Sequence, residues 1–346
     1  MVELENPIRT FLEGQGFMVI DGGLASELER AGFDLRDSLW SARLLMEAPQ
    51  AIVDVHTSYL EVGADCIISA SYQATLQGFT ARSAAEKYAE ELLRSAVRLA
   101  VAARDDFWAK PVNREDRIRP TVAASVGPYG AFLANGAEFT GEYDLDERGL
   151  VEFHRRRWEI LCSEGADLLA CETIPSAEEA RALARLLDDT PDTCAWFSFS
   201  CRDGEHISDG TPIIECVREL DANPRVVAVG VNCTAPVHIA NLVRNIRAVT
   251  RTPIVVYPNS GESWDADRKC WSGSADPRAF ASEGRLWRDA GAQLLGGCCR
   301  TRPEDIRRLR EALLPGRGRG AERQLSAPDD GGSNQRQKAA AVFRDR

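Results

Sequence analysis

At 346 residues the chain is long enough for one large domain or two ordinary ones, and its 44% hydrophobic content is that of a globular protein with a sizeable core. Its 42 basic and 53 acidic residues leave a formal charge of -11, which argues against a broad nucleic-acid-binding surface. No apolar run approaches the length of a membrane span, and the start, Met1-Val2-Glu3-Leu4-Glu5, lacks the charged and apolar regions of a signal peptide. Ten cysteines in such a chain point to a reducing, cytoplasmic setting, where metal binding or catalysis is expected in place of a disulfide framework.

Residues 1–16 read as an irregular or short helical lead-in. The first strand is Phe17-Met18-Val19-Ile20, ending in Asp21-Gly22-Gly23, and a helix follows from Leu24. Pro49 opens a longer helix with Ile52, Val55, His56, Tyr59 and Leu60 on one face. The second strand, Cys66 to Ala70, runs into Ser71-Tyr72-Gln73, and an amphipathic helix follows over roughly 84–104. Strand three, Thr121 to Ser125, opens into a loop over 126–149, a length that marks a functional lid. A helix over about 150–165 leads to strand four, Asp167 to Cys171, which ends at Glu172-Thr173, and Pro175-Ser176 open the next helix. Strand five is Ala195 to Phe199, with a helix from Pro212. Strand six, from Val226, ends at Cys233, with a helix from Pro236. Strand seven, Ile254 to Tyr257, enters a second long loop over 258–274. A helix through Ala290 precedes strand eight, Ala292 to Leu295, which leads into Cys298-Cys299, and Pro303 opens the last helix.

Each strand is too solidly apolar for a half-exposed sheet, so eight of them alternating with helices specify a parallel sheet covered by helices. The expected fold is α/β, a single (β/α)8 TIM barrel over residues 1–314. A doubly wound open sheet is the runner-up, without a Gly-x-Gly-x-x-Gly turn to support it. Residues 315–346, which begin Pro-Gly-Arg-Gly-Arg-Gly, read as a disordered polar tail.

The chemistry centres on Gly296-Gly297-Cys298-Cys299. Vicinal thiols do not readily close a disulfide with each other, but both can bind one soft ion. Cys233, at the end of strand six, supplies a third sulfur and leaves a fourth position open, the mark of a catalytic zinc site. Cys66, Cys162, Cys171, Cys194 and Cys216 fit packing positions, and Cys201 and Cys270 fall in loops. Zinc on three thiolates is a poor Lewis acid for carbonyls but suits a fourth thiolate, which it deprotonates and leaves electron-rich. Such a centre favours attack on an onium methyl group. Aromatic faces suit that donor better than a carboxylate, which would compete as nucleophile. Trp40, Tyr72, Tyr129, Tyr257, Trp264 and Trp271 fall near the expected active face, Trp40 and Tyr72 foremost. Asp21 and Glu172, at two strand ends, are placed to hold a substrate ammonium, with helix capping as the simpler alternative. Gly22 and Gly23 would let backbone N–H groups approach its carboxylate. Histidines 56, 154, 206 and 238 form no nucleophile triad and read as structural or exposed.

The motifs DGGLASELE (21–29), LWSA (39–42), SYQAT (71–75), SVGPYGAFLANGAEFTG (125–141), LLACET (168–173), GVNCTAP (230–236), VYPNSGE (256–262) and GGCCRT (296–301) occur in an order and spacing that resembles the homocysteine S-methyltransferases, over nearly the whole chain to about Leu314. The likeness is nearest to the branch using S-methylmethionine or S-adenosylmethionine. It departs at Ala137 and Phe139, where the family more often has Ser and Tyr. The resemblance implies zinc on Cys233, Cys298 and Cys299, with homocysteine and a sulfonium donor as partners and methionine as product. It also implies substrate contacts from Asp21, Gly22, Gly23, Glu172, Asn232, Trp40, Tyr72 and Tyr129. Methyl transfer to selenocysteine or another thiol, and a non-catalytic zinc- or thiol-binding barrel, are the alternative readings.

Overall fold

The apolar strand segments close on one another in parallel. The computed structural model describes residues 6–35, 39–82, 84–261, 263–265, 270–272 and 276–314. Its eight parallel strands are β1 (Met18–Val19), β2 (Cys66–Ile68), β3 (Thr121–Val126), β4 (Leu168–Ile174), β5 (Ala195–Phe199), β6 (Val226–Asn232), β7 (Ile254–Tyr257) and β8 (Leu294–Leu295). They pair in the order β1-β8-β7-β6-β5-β4-β3-β2. A parallel bridge between Ile20 and Cys66 joins the two ends of that series, and the Asp21 N–H donates to the Cys66 carbonyl at 3.0 Å. The fold is therefore a (β/α)8 barrel.

Strand composition follows from burial on both faces. Met18, Ala123, Leu168, Ala170, Trp196, Val255 and Leu294 pack inside the barrel. Val19, Val122, Leu169, Cys171, Phe197, Val256 and Leu295 face the helical layer. Neighbouring residues along each strand thus point to different apolar surroundings, which is why an alternating polar pattern is absent. Ile8 and Phe11, at the N-terminal helix Arg9–Gln15, join the inner cluster, a role that the lead-in did not announce.

Helix starts follow local chemistry. The Ser176 side chain accepts the Glu179 N–H at 3.2 Å, and Asp146 caps Gly149 at 2.9 Å. Pro49, Pro236, Pro277 and Pro303 each begin a helix, at Pro49–Glu61, Pro236–Arg247, Pro277–Ala290 and Pro303–Leu313. The helix expected over 84–104 runs instead from Glu86 to Ala109. Its last turns are kept by Phe107, which is buried, and by Arg104, which pairs with Asp167 at 2.8 Å.

Neither long loop lacks internal order. The one after β3 contains a short helix, Tyr129–Leu133, and a 3-10 turn, Ala137–Phe139. The one after β7 contains an antiparallel pairing of Ser263–Asp265 with Cys270–Ser272. The chain divides into two compact units, Met1–Leu313 and Leu314–Arg346, and the tail expected over 315–346 lies outside the described residues. No described helix is long and apolar enough to cross a membrane.

Away from the strand ends that carry the cysteines, buried Asp65 is a knot of charge. It accepts the Val19 N–H at 3.0 Å, Gln15 at 2.7 Å and Arg310 at 2.8 Å, with Arg117 at 3.8 Å. Removing one partner of a buried pair leaves the others unsatisfied, at a cost of roughly 3–5 kcal/mol. Asp65→Ala is expected to lower the urea unfolding midpoint accordingly, whereas a shift equivalent to less than about 1 kcal/mol would show the knot to be energetically idle.

Candidate active site

Two strand exits bring distant sulfurs to one end of the barrel. β6 delivers Cys233 immediately after Asn232, and β8 delivers Cys298 and Cys299 after a Gly-Gly turn. The three sulfur atoms all lie within 4.8 Å of one another. The Cys233 and Cys298 sulfurs are in direct contact across a Cα separation of 5.6 Å, and half-buried Cys299 completes the cluster. The three expected sulfurs are thus brought together from two strand exits.

The exits are laced together by backbone. The Cys298 N–H donates to the Pro258 carbonyl at 2.8 Å, the Cys233 N–H to Tyr257 at 3.2 Å and the Ser260 N–H to Cys299 at 3.0 Å. The Thr301 hydroxyl donates to the Cys298 carbonyl at 2.6 Å and accepts the Gly23 N–H at 3.1 Å. A Cβ at Gly23 would sit 2.6 Å from the Cys298 carbonyl oxygen, so only glycine lets the β1 exit approach the cysteine turn this closely.

Three non-glycine residues adopt left-handed backbone around this end: Thr173 (φ 58°), Cys233 (φ 45°) and Arg300 (φ 67°). Such positions cost of order 1–3 kcal/mol each and persist where their surroundings over-determine them. Asn232 does that for Thr173, accepting its N–H at 2.7 Å and donating to its hydroxyl at 2.7 Å. The register between β4 and β5 shifts between Cys171 and Ile174, and this bulge carries Glu172.

Glu172 and Asp21 form a buried, like-charged pair. Burial pushes the Glu172 carboxyl up to about 7, against hydrogen bonds from Ser125 and Tyr257 and the pull of Arg157. Burial raises Asp21 well above the usual carboxylate range, and the Glu172 charge adds to it, although the Ile68 N–H donates to Asp21 at 2.9 Å. Burial also pushes the Cys299 thiol up to about 11, with Glu29, Glu172 and Glu138 adding to the effect. Burial thus makes ionisation of these groups costly unless a cation arrives to share the site.

A family model described as homocysteine S-methyltransferase matches residues 18–313. The chain belongs to the homocysteine S-methyltransferase family. It is a methyltransferase. It is 50% identical over 304 residues to homocysteine S-methyltransferase YbgG of Bacillus subtilis, covering 88% of this chain and 96% of that protein. It superposes on the homocysteine methyltransferase MmuM of Escherichia coli in its oxidised form with a TM-score of 0.81, at 44% identity, covering 89% and 99% of the two chains. The metallated form of MmuM gives a TM-score of 0.80, again at 44% identity, covering 88% and 99%.

Within this methyltransferase, the other residues expected at the site fall into distinct places. Tyr72 is half-buried beside Thr173, within reach of the charges of Glu172 and Cys299. Gly22 lies against the Tyr59 hydroxyl and Thr301. The Gly23 N–H is bonded to Thr301, and the Asn232 amide is bonded at both its oxygen and its nitrogen to Thr173. Tyr129 is turned away into the lid: its ring packs at 4.9 Å on Phe153 and 5.3 Å on Tyr143, and its hydroxyl donates to Asp144 at 3.2 Å. Trp40, Trp264 and Trp271 have side chains outside the described residues.

Sequence reasoning placed Tyr257 near the active face without a supporting role, and missed Arg157 and Glu179. Tyr257 bridges Glu172, Ser198 at 2.6 Å and Trp196 at 3.1 Å. Buried Arg157 donates to the carbonyls of Gly127 at 2.9 Å, Ser71 at 2.7 Å and Tyr72 at 2.8 Å, tying the β2 and β3 exits together. Glu179 accepts the Tyr129 N–H at 2.6 Å and the Tyr143 hydroxyl at 2.8 Å, and pairs with His154 at 2.8 Å, anchoring the lid. Burial lowers the His154 pKa. The only sequence signal for these was charge within otherwise apolar helical faces. Asn232→Ala removes both supports of Thr173 and is expected to destabilise the fold by about 2–4 kcal/mol in thermal denaturation; an unchanged transition would show that Thr173 holds its backbone unaided.

Proposed function

We propose that this chain moves a methyl group from a sulfonium donor, S-methylmethionine or S-adenosylmethionine, to homocysteine, giving methionine, with zinc held by Cys233, Cys298 and Cys299. The observation that carries the reading is the meeting of three sulfurs from two strand exits within 4.8 Å. Three soft donors with no histidine or carboxylate among them suit zinc, and the two carboxylates nearby are placed for substrate instead. Metallated MmuM, at 44% identity, supports metal binding on this scaffold. When bound, a zinc ion on three thiolates lowers the pKa of a substrate thiol and leaves it nucleophilic.

The chain's own residues do the rest. Burial raises both Asp21 and Glu172, and a substrate ammonium beside them favours their ionised forms, so binding of the amino group offsets their desolvation. Ser125 and Tyr257 hold Glu172 in its rotamer. Tyr72 offers an aromatic face to the donor cation. Metal ligation needs Cys233, Cys298 and Cys299 as thiolates, so a reducing, cytoplasmic setting fits the activity.

Reduced protein is expected to retain about one zinc per chain and to form methionine from homocysteine and S-methylmethionine. Cys298→Ser is expected to lose zinc and turnover while circular dichroism remains that of a folded barrel. No turnover with any sulfonium donor, in reduced and zinc-loaded protein, would overturn the reading. A pH profile gives a second check. Glu172 binds an ammonium only when ionised, and its carboxyl is raised to about 7, so falling pH protonates it and weakens homocysteine binding. The kcat/KM for homocysteine should fall about tenfold per pH unit on the acid side of about 7, and Glu172→Gln should flatten that limb. A limb unchanged in the variant would assign the ionisation elsewhere.

A further inference from the structure

The lid carries a carboxylate that the roles assigned above leave unused. Glu138 lies in the 3-10 turn Ala137–Phe139, between buried Ala137 and exposed Phe139. Its backbone is held from two sides. The Ser200 hydroxyl, just past the end of β5, donates to the Glu138 carbonyl at 3.0 Å. A Cβ at Gly130 would meet the Glu138 nitrogen at 2.3 Å, so the lid helix and the turn pack backbone to backbone, as only glycine permits.

The side chain is equally specified. The backbone of Gly136 and Glu138 lowers the carboxyl pKa, against burial, which raises it. Oε2, however, is shielded from solvent and has no hydrogen-bond partner. It lies near enough to Tyr72 and Cys299 for its charge to raise the pKa of both groups. Buried Arg157 is committed to three backbone carbonyls. A carboxylate oxygen that is buried, bare and held in position costs stability unless a donor meets it during function.

We infer that Glu138 binds the α-ammonium group of the sulfonium donor, and so serves as the residue by which this enzyme distinguishes amino-acid sulfonium compounds from simple ones. This rests on the reading of the site as a sulfonium-dependent homocysteine methyltransferase. The assignment follows from counting cations. Homocysteine brings one ammonium, which Asp21 and Glu172 receive. An amino-acid sulfonium brings two positive centres. Its sulfonium has no N–H and is better met by an aromatic face such as Tyr72, since a carboxylate beside the reacting methyl would compete for it. Its ammonium has three donors, and the bare Oε2 is an acceptor without one.

The test pairs a variant with a truncated ligand. Glu138→Gln keeps shape and removes charge. In the full-length, reduced, zinc-loaded protein it is expected to raise the KM for S-methylmethionine about 10- to 100-fold, the loss of one charge-assisted hydrogen bond, and to leave the KM for homocysteine within about twofold. Calorimetric titration gives a readout independent of turnover. The wild type should bind 4-dimethylsulfoniobutanoate, which is S-methylmethionine without its ammonium, about 10- to 100-fold more weakly than S-methylmethionine, and Glu138→Gln should not weaken it further. Glu138→Asp should recover part of the donor affinity, which a merely structural role would not predict. Unchanged donor affinity in Glu138→Gln overturns the inference, as does equal weakening of both sulfonium ligands or a rise confined to homocysteine. A wild type inactive with every donor sinks the functional reading instead, and the binding data still decide the role of Glu138.

Discussion

Everything at the mouth of this barrel depends on holding sulfur atoms from residues 65 positions apart within one coordination radius. Side chains alone do not achieve this. Cys233 has left-handed backbone at the exit of β6, and Arg300, just beyond the vicinal pair, has it too. Hydrogen bonds from the β1 and β7 exits then tie the two turns, through Thr301, Tyr257 and Pro258. The rigid parallel sheet is what makes such strain tolerable, because the closed hydrogen-bonded ring beneath it cannot relax locally.

The same geometry has two chemical outcomes. Sulfurs this close can share an ion as thiolates or, in oxidising surroundings, join in pairs. A site built for a soft metal is therefore also a site open to oxidation, and redox surroundings decide which form prevails. The carboxylates follow a parallel logic. Asp21, Glu172 and Glu138 are costly in an empty pocket and favourable in one that receives amino groups, so binding energy is spent where cations arrive.

The supports of the site lie one layer out. Arg157 and Glu179 sit on the helices that cover the sheet, yet they set the exits of β2 and β3 and the lid that follows. Their buried charges are satisfied by backbone groups of the loops, which couples helix packing to loop shape. Changes in that outer layer thus reach the site without touching substrate.

Strand positions, helix starts and the parallel class were readable from the chain alone, because burial on both faces leaves solid apolar runs and because Pro, Ser and Asp mark helix beginnings by local chemistry. The cysteine pair after Gly-Gly and the cysteine after Asn232 were conspicuous for the same reason: strand exits in such a fold converge at one end. What local pattern does not encode is the direction of a side chain in a loop or the company it keeps across the barrel. Tyr129 packs against Phe153 in the lid, and Asn232 holds Thr173, contacts that no local pattern announces. Tyr257, Arg157 and Glu138 acquire meaning only from partners 59 or more, 30 or more, and 62 residues away in the chain. Long-range contacts of that kind are set by how the strands close into a ring, and only the folded structure contains that information.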